Sequence, residues 1–340
     1  MLSSKAKTLS IVKVSNMTEQ EVFSLFCQLR WGSETEVTCP DCHCQHHAYF
    51  ISTRKQWRCK HCKHTFSVTS GTIFAKHKLP LKTYLFAVAI FVNAVKGISS
   101  LQLSRDLGVH YQTAYVLANK LRKALLEHRD TSPLSGIVDM DGTYVHPAPR
   151  KENKKSDRLD YRLKENQNPD KRCIVVAREH YTEQEKLADK HFQGAKRSCV
   201  FVTYSETQSV VKKIADSIVT RGSKINTDES NAYDVLIPHY DLRTVNHNLE
   251  YRSDAGITNN QAESYFSRFK RMYYGQNHKM GNTYLLNYAN EAVYREDERR
   301  KSNGWQCNDV LEKCLETSNQ NNEWVGYWQG KRRYQEVLIQ

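Results

Sequence analysis

Two Cys-x-x-Cys knuckles, Cys39-Pro-Asp-Cys42 and Cys59-Lys-His-Cys62, stand 16 residues apart and constrain this chain more tightly than any other feature. Pairs at this spacing can present four thiolates tetrahedrally to one Zn²⁺, and the stretch between them, with Ala48-Tyr-Phe-Ile51 and Gln56-Trp-Arg58, reads as a short hairpin. A segment this small cannot bury enough apolar surface to fold alone, so one structural zinc ion has to supply much of its folding free energy. Six of the ten cysteines fall between Cys27 and Cys62, which suits metal rather than a disulfide framework. His43, Cys44, His46, His47, His61 and His64 crowd the same segment as alternative ligands and rank below the paired set. The ribbon is placed at residues 36–70, after an N-terminal helical lead at 1–35. Arg54, Lys55, Arg58, Lys60 and Lys63 keep it basic, and Arg58 is a candidate DNA contact.

At 340 residues the chain is too long for one ordinary core, so several domains are expected. The formal charge of +13 favours a polyanionic partner. Its distribution says more: residues 1–130 hold a net +10 and residues 131–340 only +3. Met1 to Lys13 has no continuous apolar stretch of the signal-peptide kind. The longest apolar run, Tyr84 to Val95, is 12 residues, short of the roughly 20 needed to span a bilayer. These features predict a cytoplasmic, nucleoid-associated protein with no membrane partner.

Residues 71–130 read as a helix-turn-helix DNA-binding domain. Pro80 sits where helices begin, and Leu81 to Val95 is apolar nearly all round, as in a buried helix. Ser99-Ser100 can cap a second helix, Gly108-Val109 makes a tight turn, and His110 to His128 forms a third. In that pattern His110, Tyr111, Gln112 and Thr113 at the start of the third helix face base edges, while Lys120, Arg122 and Lys123 meet phosphates. A plain three-helix bundle explains the same apolar spacing; the adjoining ribbon and the local charge favour DNA.

From Gly136 the texture turns to short β-rich runs. Strands are predicted at 136–146, 172–180, 198–204, 224–227 and 242–246, with helices at 207–219, 259–274 and 284–300. Three strands, a helix, a strand, a short helix, a strand and a final helix is the order of an RNase H-like fold, so the fold class is α/β: an RNase H-like catalytic domain at 131–301 preceded by the ribbon and the helix-turn-helix. In such a sheet the first and fourth strands are neighbours. Asp141 in the first, Asp228 at the end of the fourth and Glu263 on the following long helix would then converge. Three carboxylates suit two Mg²⁺ or Mn²⁺ ions, which together support in-line displacement at phosphorus. Asp139, two residues before Asp141 on the same strand face, is the alternative ligand or helper; the following Gly142-Thr-Tyr favours Asp141. Lys270 lies seven residues after Glu263, two turns along one helix face, where it can contact a flanking phosphate. His247 and His278 are candidate contacts to DNA or a phosphate, with a satisfied structural histidine as the equal alternative. Pro147 to Lys171, with Lys151, Lys154, Lys155, Arg158, Arg162 and Lys164, reads as a charged loop, either disordered or ordered by DNA.

These residues resemble bacterial insertion-sequence transposases of the DDE class with an N-terminal zinc ribbon, the ISXO2-like type. The matching stretches are the two knuckles, Gly71-Thr-Ile-Phe74, Lys78-Leu-Pro80, Val138-Asp-Met-Asp-Gly-Thr-Tyr144, Thr227-Asp228, Val245-Asn-His247, Asn259-Asn-Gln-Ala-Glu263 and Phe269-Lys-Arg271. The resemblance implies Mg²⁺-dependent cleavage and strand transfer of double-stranded DNA at the terminal inverted repeats of a mobile element. It assigns catalysis and metal ligation to Asp141, Asp228 and Glu263, DNA contacts to Lys270 and Arg271, and function as a homodimer or larger assembly on element ends and target DNA. Such proteins often have an acidic residue directly after the first catalytic Asp, where this chain has Gly142. The resemblance does not extend to the tail at 302–340, whose role is open between packing on the catalytic domain, pairing subunits and binding DNA. A non-catalytic DNA-binding regulator and a repair nuclease on the same fold are the competing readings. The intact acidic set with Lys270 argues against the first, and the ribbon with a helix-turn-helix against the second.

Overall fold

The computed structural model describes residues 6–146, 154–160, 163–166, 168–189, 191–245, 259–318 and 323–339. His247, Lys151 and Arg162 lie outside them. The chain forms two compact units, one built from residues 1–129, 275–277 and 298–334, the other from 130–274, 278–297 and 335–340.

The first unit opens with α1 (Ile11–Asn16), capped by Ser10, and α2 (Glu19–Trp31). Thr18 and Glu21 cap α2 reciprocally, which satisfies two amide groups that the first helical turn leaves open. Val22, Phe23, Phe26 and Cys27 fall on one helix face, and all four are buried. The ribbon follows as a hairpin of β1 (Glu36–Thr38) and β2 (Gln45–His47), then an antiparallel sheet of β3 (Tyr49–Ile51), β4 (Gln56–Arg58) and β5 (Thr65–Ser67). Trp57 on the middle strand turns inward, stacking on Phe23 at 5.5 Å and meeting the edge of Trp31 at 5.0 Å. Helix α2 thus supplies the apolar partner that so small a sheet lacks.

Three helices come next: α3 (Leu81–Asn93), α4 (Ser100–Leu107) and α5 (Tyr111–Glu127). Ser99 caps α4, and Gly108 ends it with φ of 64°, a left-handed conformation that residues with a Cβ adopt reluctantly. His110, Tyr111, Gln112 and Thr113 are exposed at the start of α5. The cations farther along correct the sequence reading. Arg122 is fully buried, donating to the Ile98 carbonyl with its guanidinium over Phe91, and Lys123 is buried against Glu323 and Glu127. Lys120 is enclosed enough that burial pulls its ammonium down to about 8. The physical reason is the helix Asn303–Glu316, which packs on α2, α3 and α5 and buries Cys307, Val310, Leu311, Cys314 and Leu315. That helix makes the first part of the tail, whose role the sequence left open, part of the core of the first unit, while residues 335–340 belong to the second.

The second unit is a five-stranded sheet. Strands β6 (Ile137–Val145), β7 (Arg172–His180) and β8 (Ala195–Thr203) form an antiparallel meander, with α6 (Glu183–Ala188) between the last two. Then α7 (Gln208–Ile218) crosses to β9 (Lys224–Asp228), and β10 (Asp241–Val245) completes the sheet in the order β10-β9-β6-β7-β8. Strand β9 is parallel to β6, pairing Ile137 with Lys224 and Asp139 with Asn226. The period-two alternation of β6 divides its side chains between the two faces. Val138 and Met140 join the core formed with α7, Cys173, Val175 and Ile225. Asp139 and Asp141 point to the opposite face, where α8 (Asn260–Met272) packs on β6 and β7. Helix α9 (Leu285–Asp297) covers β8. Among the described residues no helix is long and apolar enough to cross a membrane.

Candidate active site

Two sites collect the residues singled out in the sequence. In the ribbon, each knuckle closes by the same backbone hydrogen bond: the Cys39 amide donates to the Cys44 carbonyl, and the Cys59 amide to the His64 carbonyl. Each also turns on a residue with positive φ directly after its second cysteine, His43 at 57° and Lys63 at 63°. The two folds bring Cys39 Sγ to 3.6 Å from Cys62 Sγ and Cys42 Sγ to 3.6 Å from Cys59 Sγ, with all four sulfurs within 4.8 Å of one another. Zinc–sulfur bonds of about 2.3 Å in a tetrahedron require sulfur separations of about 3.8 Å, so the cluster fits one Zn²⁺. Burial opposes ionisation of Cys59, yet hydrogen bonds from His46 and from the Cys62 and His61 amides bring its thiol down to about 5. His46 sits 3.1 Å from Cys59 Sγ as a hydrogen-bonding neighbour. Cys44 forms a second group with Cys42 and His61. Arg58 is exposed on β4.

The second site lies at the middle of β6 and the end of β9. Continuing the β6–β9 register beyond Asp139 and Asn226 brings Asp141 beside Asp228. Glu263, in the first turn of α8, comes near the same carboxyl group. The effect on Asp141 is direct: burial first, then the charge of Asp228, then those of Glu206 and Glu263, push its carboxyl up to about 7 against the pull of the Gly142 amide. Asp228 accepts from the Ser230 amide at 3.2 Å. Lys270 and Arg271 are exposed toward the other end of α8, and His278 is exposed with φ of 54°.

Glu206 escaped the sequence reading. It follows β8 with no motif around it. The fold brings its carboxylate over Gly142: a Cβ built on that glycine would lie 2.6 Å from Glu206 Cδ and from both of its oxygens. Glycine at 142 therefore leaves room for an acidic group next to Asp141. The Tyr233 hydroxyl donates to Glu206 Oε1, and burial, with Asp228 adding, raises the Glu206 carboxyl above its usual range. Among the described residues none of Asp141, Asp228 and Glu206 forms an ion pair. Carboxylate oxygens are the donors Mg²⁺ and Mn²⁺ prefer, and the open Cβ position of Gly142 admits Glu206 beside Asp141, but as placed no three of Asp141, Asp228, Glu206 and Glu263 bring oxygens within 4.8 Å of one another.

A pH-dependent stability follows from Asp141. Its carboxyl titrates near 7 in the fold and near 3.9 in an unfolded chain, so its contribution is full below about pH 4 and is lost as pH rises through 7. The loss is on the order of a few kcal/mol. Metal-free protein is therefore expected to melt lower at pH 8 than at pH 5, and Mg²⁺ is expected to raise the melting temperature more at pH 8. Calorimetric scans at both pH values, with and without Mg²⁺, check this. Equal responses to Mg²⁺ would contradict it.

Comparison with known proteins bears on both sites. Residues 133–297 match the family model of the ISXO2-like transposase domain, and residues 17–65 that of the transposase zinc-ribbon domain. The latter match takes in α2 as well as the knuckles. Over 131 residues the chain is 29% identical to a Halobacterium salinarum protein described as an uncharacterized protein in transposable element ISH50. That match takes in 38% of this chain and 42% of the relative, so it spans less than half the relative's length.

Proposed function

We propose, for a chain that resembles insertion-sequence transposases in both its zinc ribbon and its ISXO2-like transposase domain, that it cleaves DNA at the ends of a mobile element and joins them to target DNA. The observation that supports this most is that Asp228, at the end of one strand, and Glu263, in the first turn of a helix, both act on the buried Asp141 carboxyl of a neighbouring strand. The order β10-β9-β6-β7-β8 is the strand arrangement of an RNase H-like domain, and we assign that fold to the second unit. Asp141, Asp228 and Glu263 hold two Mg²⁺ or Mn²⁺ ions, which when bound supply Lewis acidity for in-line displacement at phosphorus. Lys270 and Arg271, farther along α8, bind the flanking phosphates. In the first unit, α4 and α5 act as a helix-turn-helix: His110, Tyr111, Gln112 and Thr113 read base edges, and Arg58 on the zinc-held ribbon meets the backbone. Arg122 and Lys123 have no place in that contact, since both are buried within the unit, and Lys120 is half-buried beside them. Joining two ends calls for two copies of the chain on DNA.

The test is strand cleavage and joining by purified protein on linear DNA ending in the inverted repeats that flank the coding sequence, with Mg²⁺ and with scrambled ends as control. Cutting confined to the repeat boundary, followed by joining, is expected. Binding of the repeats without any cutting in Mg²⁺ or Mn²⁺ would reject the enzyme in favour of a regulator.

A further inference from the structure

Asp139 is the group through which all three acidic elements touch. Its side chain is fully buried and accepts three hydrogen bonds. Oδ1 takes one from His180 Nε2 at 2.7 Å and one from Asn226 Nδ2 at 2.8 Å, and Oδ2 takes one from the Gln261 amide at 3.1 Å. The spacing of these groups is regular. Asp139 stands two residues before Asp141 on β6, Asn226 two before Asp228 on β9, and Gln261 two before Glu263 on α8. Residues two apart on a strand share a face, and the first turn of a helix leaves its amides in need of acceptors, so one carboxylate can reach all three elements. The Gln261 carbonyl is held as well, by Arg178 Nη1 at 2.6 Å. Arg178 is itself buried, bonded to Ser198 Oγ at 2.9 Å and 3.5 Å from Glu296. The start of α8 is thus gripped at both its amide and its carbonyl.

We infer that Asp139 is a positioning residue, not a metal ligand: it ties together β6, β9 and α8, the elements that carry Asp141, Asp228 and Glu263, and divalent-ion binding by those three depends on that tie. The inference rests on the proposed metal-dependent nuclease. Three donors leave Asp139 satisfied by the protein, whereas Asp141 faces other carboxylates. Groups that orient metal ligands from behind commonly change metal affinity about 10–100-fold when removed.

The experiment uses the full-length, zinc-loaded protein with Asp139→Ala, Asp139→Asn and Asp228→Asn beside wild type. Mn²⁺ affinity is read by electron paramagnetic resonance, and amide exchange at the start of α8 by mass spectrometry. Asp139→Ala is expected to weaken Mn²⁺ binding about 10–100-fold and to speed exchange at Gln261. Asp139→Asn keeps an oxygen for the Gln261 amide, and its amide nitrogen can donate to Asn226 once that amide flips and to His180 in its other tautomer, so it is expected to restore affinity to within a few-fold of wild type. Equal losses in the Ala and Asn variants would make Asp139 a ligand and overturn the inference; unchanged affinity in Asp139→Ala would overturn it too. Should Asp139→Ala fail to fold, Asn226→Ala removes only the link to β9 and is expected to weaken Mn²⁺ binding about tenfold, with no change refuting the anchor. A wild type that binds no Mn²⁺, or an Asp228→Asn variant that binds it as well as wild type, would instead overturn the nuclease reading. In that event exchange at Gln261 still decides whether Asp139 holds α8.

Discussion

Asp228→Asn is expected to lower Mg²⁺-dependent cleavage and joining by a thousandfold or more, on the order of 4 kcal/mol of lost transition-state stabilisation. Affinity for element-end DNA should stay close to that of wild type. The substitution keeps the size of the side chain and one oxygen for the Ser230 amide, which donates to Asp228 at 3.2 Å. It removes one negative charge from the group around Asp141. Glu263→Gln should behave alike, since Glu263 adds to the same crowding from the first turn of α8. The separation of effects arises because the groups assigned to end recognition, His110 to Thr113 and Arg58, belong to the other unit of the chain. Cleavage assays and gel shifts at one fixed salt concentration check both halves, because phosphate-driven affinity changes steeply with salt. Strand transfer retained in either variant would refute the assignment.

Loss of the zinc ion is the second large effect. Structural zinc contributes on the order of 10–16 kcal/mol to the folding of small domains, more than the three short strands around Trp57 can supply by packing. Cys59→Ser removes the sulfur that takes the Cys62 amide at 3.5 Å and lies 3.6 Å from Cys42 Sγ. The ribbon should unfold, and Trp57, now 1% exposed and stacked on Phe23, should become solvated. A red shift in tryptophan emission, loss of one equivalent of zinc and weaker binding of element ends are the expected readings. Wild-type melting and affinity in the variant would contradict a structural role for the metal.

The parts of this molecule that were legible in the sequence are those whose physics is local. Knuckle spacing announces a tetrahedral sulfur site, and the alternation along Val138-Asp-Met-Asp141 announces a strand with one apolar and one acidic face. The boundaries of β7, expected at 172–180, are those observed, because a continuous apolar run bracketed by polar residues leaves little choice. What escaped depends on segments far apart in the chain. Arg122 and Lys123 look like a solvated helix face until the helix Asn303–Glu316 and Glu323, about 180–200 residues later, close over them. Glu206 is one acidic residue among many. Only the missing Cβ of Gly142, 64 positions earlier, gives its carboxylate a place beside Asp141. Asp139 and Asp141 look equivalent on one strand face; the donors from β7, β9 and α8 that separate their roles are tertiary neighbours.

The account turns on whether Asp141, Asp228 and Glu263 bind divalent cations together, and anomalous diffraction from crystals of the full chain soaked in Mn²⁺ addresses that most directly. We expect manganese peaks within coordination distance of carboxylate oxygens from all three residues, and their loss in Asp228→Asn crystals grown the same way. Crystals whose manganese sits elsewhere, with the three carboxylates bare at saturating Mn²⁺, would contradict it.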